Sequence, residues 1–328
     1  MDPIGFSPKK PWLTPAKQVA HLKSKGVRFD FRSADEATEY LKNNNNYFRL
    51  RSYRTGFSKV DEGARKGQYA NLDFEMLVDL SIIDMLLRYE MLPLTLDIEH
   101  FYKVKLLSLI EGHGEDGYGI VEDFIRSYDV VGTSGKISNS MLNELEKGFK
   151  SPYTCSLLDR YSPTLPNAMP VWVFIELISF GSFLYLYKFC AVRFHDDEMK
   201  DDFFLLQSVR SLRNACAHNN CVLNDLRAKK RPMFKCRYAV STAVGQIETI
   251  GLDQGRNRLK NDRLQQIATT LFVHKLIASK GVHENRAVSL HKFADRMNKN
   301  GGFYEGNYQV LSSFDFITKI IDAWFSVD

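Results

Sequence analysis

Residues 201–224 read DDFFLLQSVRSLRNACAHNNCVLN, and their spacing decides what kind of fold the chain adopts. Leu205, Val209, Leu212 and Cys216 recur at helical intervals. At about 100° per residue they fall on one apolar stripe, which must be buried against other elements. His218 lies roughly 180° from Val209 on the same wheel, near Gln207, Ser211 and Asn214, and Arg213 sits at the edge between the two faces. The stretch predicts a helix that buries one side and presents Arg213, Asn214 and His218 along the other.

An arginine, an asparagine and a histidine together suit phosphate chemistry. Histidine titrates near neutral pH and can move a proton. Arginine stays charged and forks onto phosphate oxygens. His218 could deprotonate a ribose 2′-hydroxyl or protonate a leaving oxygen, while Arg213 steadies charge on the phosphorane-like transition state. No metal is needed, and the requirement for a 2′-hydroxyl makes the substrate RNA. The spacing alone is weak evidence: Arg286 and His291, in RAVSLH, repeat it, and at least one of the two copies is accidental. The competing reading is a surface ion pair and a solvated histidine.

The motif, with three further blocks, resembles a known family. R-N-x-x-A-H closing a long helix is similar to the HEPN ribonuclease motif in the form carried by Abi-like abortive-infection proteins of the AbiD/AbiF group. KPWLTPAKQVAHLKSKGV (10–27), YLKNNNNYFRLRSYRTGF (40–57) and WVFIELISFGSFLYLYKF (172–189) resemble that family's other segments, in the same order. The resemblance implies a mainly α fold, a HEPN-like helical bundle with N-terminal and C-terminal helical extensions and at most a minor β element. It also implies catalysis by Arg213, Asn214 and His218, and a homodimer with a composite cleft. It suggests Asp97 or Glu99 as partners for Arg213. Where the family often reads A-H-H-x-R-L-W-N, this chain has AHNNCVLN (217–224). Asn219 replaces the second histidine and Cys221 the arginine, with Arg227 a possible substitute, while Asn224 remains as structural support.

The rest of the chain supplies candidate RNA contacts. Arg227, Lys229, Lys230 and Arg231 form a basic cluster just after the motif, suited to phosphates. Tyr47 to Phe57 interleaves aromatics with Arg49 and Arg51, a composition that can grip single-stranded RNA. The same segment also fits a small aromatic anchor packing an N-terminal unit onto the bundle. Glu176, within the apolar run 171–192, reads as a buried carboxylate in need of a partner, with Arg213 a candidate.

Length and composition set the bounds. The 328 residues fit one large domain or two ordinary ones, and 44% hydrophobic content suffices for a substantial core. They divide into an N-terminal helical, aromatic and basic unit (1–60), a HEPN-like helical core (61–230) and a mostly helical extension (231–328). The net charge of +5 is compatible with RNA without requiring it. Five cysteines, an odd number without C-x-x-C, suggest neither a disulfide framework nor a zinc site. No cofactor, metal or membrane span is expected. MDPIGFSPKKPW carries no apolar leader, and a cytoplasmic location is expected.

Helix signals recur elsewhere. Thr14 with Pro15, and Ser33 with Glu36, are N-terminal caps. Residues 72–92 and 95–110 predict helical segments, with Pro93 ending or kinking the first. Residues 132–140 and 151–170 predict linkers, and 251–261 a polar loop. A strand pair is expected near 233–250, and helices over 264–279, 281–300 and 314–325. The leading function is a metal-independent endoribonuclease of phage defence, with an antitoxin or regulatory RNA as a further partner. The alternative is a non-catalytic HEPN-like RNA-binding or regulatory protein.

Overall fold

The computed structural model describes residues 11–131, 137–154, 169–230, 232–233 and 235–327. With 68% of it helical and one two-stranded sheet, the protein is mainly α, as the periodicity requires. The expectations for the Pro-rich arm up to Lys10, Gly132 to Lys136, Cys155, the stretch 155–168, Arg231 and Phe234 lie outside the described residues. Two compact units interleave along the sequence.

One unit comprises Met1–Glu90, Ala215–Ala268 and Ala287–Asp328. α1 (Pro15–Ser24) opens at Thr14, whose hydroxyl accepts from the Lys17 amide. It packs on α2 (Ala34–Asn43), which opens with a reciprocal Ser33–Glu36 capping box. α3 (Tyr47–Ser52) starts from Asn46 and runs into a 3-10 turn at Tyr53–Gly56, burying Leu50 and Tyr53. The beginning of α4 (Phe74–Gly112) buries Phe74, Leu77, Ile83 and Leu87. α10 (Tyr238–Gly245), α11 (Leu252–Arg258), most of α13 (Lys280–Asn298) and α14 (Tyr308–Trp324) complete it. α14 buries Val310, Phe314, Ile317, Ile321 and Trp324 at helical spacing. Asp79 ties α4 to the far end of the chain: its carboxylate accepts from Arg296 (2.7 Å), Asn300 (2.9 Å) and the Tyr304 hydroxyl (2.7 Å).

The other unit comprises Met91–Asn214 and Thr269–Arg286. Its elements are the remainder of α4, α5 (Gly119–Arg126), the antiparallel pair of β1 (Asp129–Val131) and β2 (Ile137–Asn139), and α6 (Ser140–Phe149), followed by α7 (Val171–Leu177), α8 (Phe180–Arg193), α9 (Asp197–Ala217) as far as Asn214, the end of α12 (Asp262–Ile277) and the start of α13. Ile98, Tyr102, Phe124, Phe174, Phe183, Tyr187, Leu206 and Val209 form its core. One carboxylate oxygen of Asp202 in α9 accepts from both Lys105 (2.8 Å) and the buried Tyr187 hydroxyl (2.9 Å).

Several local expectations are corrected. Pro93 does not end a helix: α4 continues through it to Gly112, with apolar side chains buried on both sides of the proline. The apolar run 171–192 forms two helices and not one, because Ser179 caps α8 and the carboxylate of Glu144 takes the Ser179 amide (2.6 Å) and the Ser182 hydroxyl (2.6 Å). The strand pair expected near 233–250 is helical at Tyr238–Gly245. The alternation there is real, but the buried positions are Val240 and Val244, four apart. Helix α11 replaces the loop expected at 251–261. The strands lie instead at 129–139, where Asp129 pairs with Asn139, and Asn139 also caps α6.

Candidate functional site around the end of α9

Asp197 and Glu198 occupy the first turn of α9, where the helix dipole favours acids. Leu205, Val209, Leu212 and Cys216 are all buried, as the stripe demands. Arg213 and Asn214 lie in the last turns and are half-buried, and His218 follows Ala217 and is exposed. The boundary between the two units falls between Asn214 and Ala215.

The helix stops for a local reason. Asn219 adopts φ 57°, the left-handed conformation that asparagine tolerates. The Asn219 amide returns to the Cys216 carbonyl (3.0 Å) and the Asn220 amide to the Ala215 carbonyl (2.8 Å), closing the helix in a Schellman-type turn. His218 is thus the C-cap residue of α9. Its position is fixed by the turn that follows it.

That turn is held from outside. The Arg49 guanidinium of α3 donates to the Asn219 side-chain oxygen (3.1 Å) and to its carbonyl. Asp84 of α4, wholly buried, accepts from the amides of Val222 (2.7 Å) and Leu223 (2.6 Å). Its other oxygen pairs with Arg88, one helical turn on, and Arg88 also donates to the Asn220 carbonyl (3.2 Å). Burial pulls the Arg88 guanidinium below its ordinary value, so the ion pair is what makes its charge tolerable there. The sequence reading missed Asp84 and Arg88. Their signal was an Asp and an Arg at i, i+4 inside a segment that is apolar at most other positions.

Arg213 has a different environment. Its one hydrogen bond among the described residues runs from Nη1 to the Asn214 side-chain oxygen (3.3 Å), and its buried Nε has no partner. None of the three suggested acidic partners is used among the described residues. Asp97 is bound by Arg286 at 2.7 and 3.1 Å and by His274 at 3.2 Å. Glu176 is not buried: its side chain is 56% exposed and lies 3.6 Å from Lys103, which also reaches Glu99 at 3.6 Å. The Val171–Leu177 helix buries Val171, Phe174, Ile175 and Leu177, and this leaves residue 176 on the outer face.

The second Arg–His pair is engaged elsewhere. Arg286 is the clamp on Asp97, and His291 donates from Nε2 to the Phe325 carbonyl (2.7 Å). Burial pushes Asp97 upward, but Arg286 and then His274 outweigh it, and the carboxyl is held below its usual range. His274 is wholly buried, and desolvation pushes it down to about 4 against the opposing pull of Asp97.

The basic candidates are scattered in role. Arg227 is exposed and donates to Asp225 (2.8 Å). Lys229 pairs with Asp262 (2.7 Å), and Lys230 is exposed. The Arg51 guanidinium lies 5.6 Å from the Phe48 ring centroid. In the aromatic segment Leu50, Tyr53 and Phe57 are buried, whereas Phe48 is 72% exposed. Tyr53 is buried beside Cys221, and that burial holds its phenol protonated, well above the ordinary range. Asn224 is half-buried with its side-chain oxygen unpartnered among the described residues. Among those residues no group of three or more His, Cys, Asp or Glu side chains is placed to hold a metal ion, and no helix is long and apolar enough to cross a membrane.

A mainly helical protein with a long helix ending in R-N-x-x-A-H and an ordered turn is the class defined so far. The chain belongs to the Abi-like protein family, whose model matches residues 39–224. The match takes in the segments 40–57, 172–189 and 211–224, and ends at Asn224. No curated protein and no solved structure matches the chain.

Proposed function

We propose that this protein is a metal-independent endoribonuclease of abortive-infection defence, acting in the cytoplasm through a HEPN-like motif. The observation that carries the reading is the contrast between two equally spaced pairs. Arg286 and His291 are consumed by structural bonds, whereas among the described residues Arg213 bonds only to its neighbour Asn214, and His218 is exposed at an ordered helix end.

His218 takes the proton of a ribose 2′-hydroxyl, and that oxygen attacks the adjacent phosphorus. The P–O5′ bond breaks, a proton is delivered to the departing 5′-oxygen, and the products carry a 2′,3′-cyclic phosphate and a 5′-hydroxyl. Arg213, oriented by Asn214, offers its guanidinium to the non-bridging oxygens as charge builds on them. Five residues on a helix separate two side chains by about 140°, so one copy aims both at one phosphate with difficulty. A homodimer facing two such motifs across a twofold axis brings His218 of one copy and Arg213 of the other to one phosphate, and the second copy's His218 is the acid that gives its proton to the departing 5′-oxygen. Lys229, Lys230 and Arg227 extend the phosphate-binding surface, and an antitoxin or regulatory RNA would keep the activity in check.

The test is cleavage of mixed cellular RNA in the presence of chelator, with end-group analysis. Wild type should give 2′,3′-cyclic phosphate ends. His218→Ala and Arg213→Ala should each reduce cleavage by roughly a thousandfold with circular dichroism unchanged. Folded variants that cleave normally would refute the assignment.

A further inference from the structure

A cluster of basic side chains lies outside the motif, around a pocket beside α10 and α11. α10 and α11 pack closely through two glycines. A Cβ at Gly245 would lie 2.7 Å from Leu252 Cδ1, and one at Gly255 would lie 2.9 Å from Val244 Cγ1. This platform and the described residues before α10 line an open pocket of about 490 Å³, within the size range of small-ligand pockets. Lys230, Lys235, Arg256 and Lys260 line it, together with Cys236 and Ser241, and no acidic residue does so among the described residues.

The four cations are uncompensated. None makes an ion pair or a side-chain hydrogen bond among the described residues. Asp262, two residues beyond Lys260, is already taken by Lys229 and by the Met233 amide (2.8 Å). Cys236 supplies no negative charge, because burial pushes its thiol up to about 11. Four like charges around one cavity repel each other, and that repulsion is relieved only by counterions or by a bound anion. Arginine and lysine are also the side chains that phosphate oxygens select.

We propose that this cavity binds a phosphate-rich anion of di- or triphosphate size, held by Lys230, Lys235, Arg256 and Lys260. The phosphates belong either to a free nucleotide or to a stretch of RNA backbone. The proposal does not rest on the cleavage reading, because binding is measured without turnover.

Thermal unfolding of the full chain is followed against sodium triphosphate, ATP and a short single-stranded RNA at low salt. The proteins compared are wild type, the Lys235→Ala, Arg256→Ala, Lys260→Ala triple, and a control triple lacking the exposed Lys17, Lys66 and Lys292, none of which lines the cavity. Wild type should be stabilised, and its apparent affinity should fall about tenfold or more in the first triple but not in the control. Stabilisation by triphosphate and ATP identifies a small-molecule site; stabilisation by RNA alone identifies the strand backbone. The first triple should melt at or above the wild-type temperature without ligand, since repulsion is removed. No stabilisation of wild type by any of the three, an equal loss in the control, or a first triple that melts markedly lower without ligand would each overturn the proposal.

Discussion

Replacing Asp84 by alanine tests the idea that the turn after His218 is fixed from α4. Asp84 is wholly buried and Arg88 is 3% exposed. The substitution leaves Arg88 as an uncompensated buried charge, a change that costs about 3–5 kcal/mol when a buried pair loses one partner. It also strips the acceptor from the Val222 and Leu223 amides, each worth about 1–3 kcal/mol if left dry. Water entering the vacated space offsets part of this, so the expected loss is about 5 kcal/mol, a large share of an ordinary domain's stability. Denaturant unfolding measures the total, and amide hydrogen exchange over 219–224 reads the turn directly. The Asp84→Asn, Arg88→Met double variant keeps an acceptor for both amides and removes both charges. It should recover most of the stability and the protection at Val222 and Leu223. An Asp84→Ala protein within about 1 kcal/mol of wild type, with residues 219–224 still protected, would refute the argument.

Two further outcomes follow from the same structure. His274 sits at about 4 in the fold, below its ordinary 6.5, so the fold favours the neutral ring. That contribution is fully present above pH 6.5 and is lost as pH falls toward 4, amounting to about 3 kcal/mol, and a melting series over that window should lose its slope in His274→Gln. Removing Arg286 and His291 together strips the clamp from Asp97 and the hydrogen bond to Phe325, and should lower stability by about 2–4 kcal/mol while cleavage per folded molecule is unchanged. A folded double variant that no longer cleaves RNA would transfer the catalytic assignment to that pair.

The sequence by itself determined the long helices, though not α10, α11 or the break between α7 and α8. Leu205, Val209, Leu212 and Cys216 announce α9 because a 3.6-residue repeat has one apolar side, and the Thr14 and Ser33 caps mark their helices because the bonds are local. It also located Arg213, Asn214 and His218 at the end of α9, since helix phase alone places them. Partnership was decided by the tertiary structure. The spacing of arginine to histidine does not distinguish Arg213 from Arg286, yet Asp97, 189 residues from Arg286 in the chain, is clamped by Arg286 and leaves Arg213 with Asn214. Glu176 read as buried because its neighbours are apolar, but which face of a short helix meets the core depends on what packs against it. Arg49 reaches Asn219 across 170 residues, and Asp84 reaches Val222 across 138. Contacts at such separations have no periodicity to betray them. They exist because burial brings unsatisfied amides and unpaired charges together, and each must find its partner inside the fold.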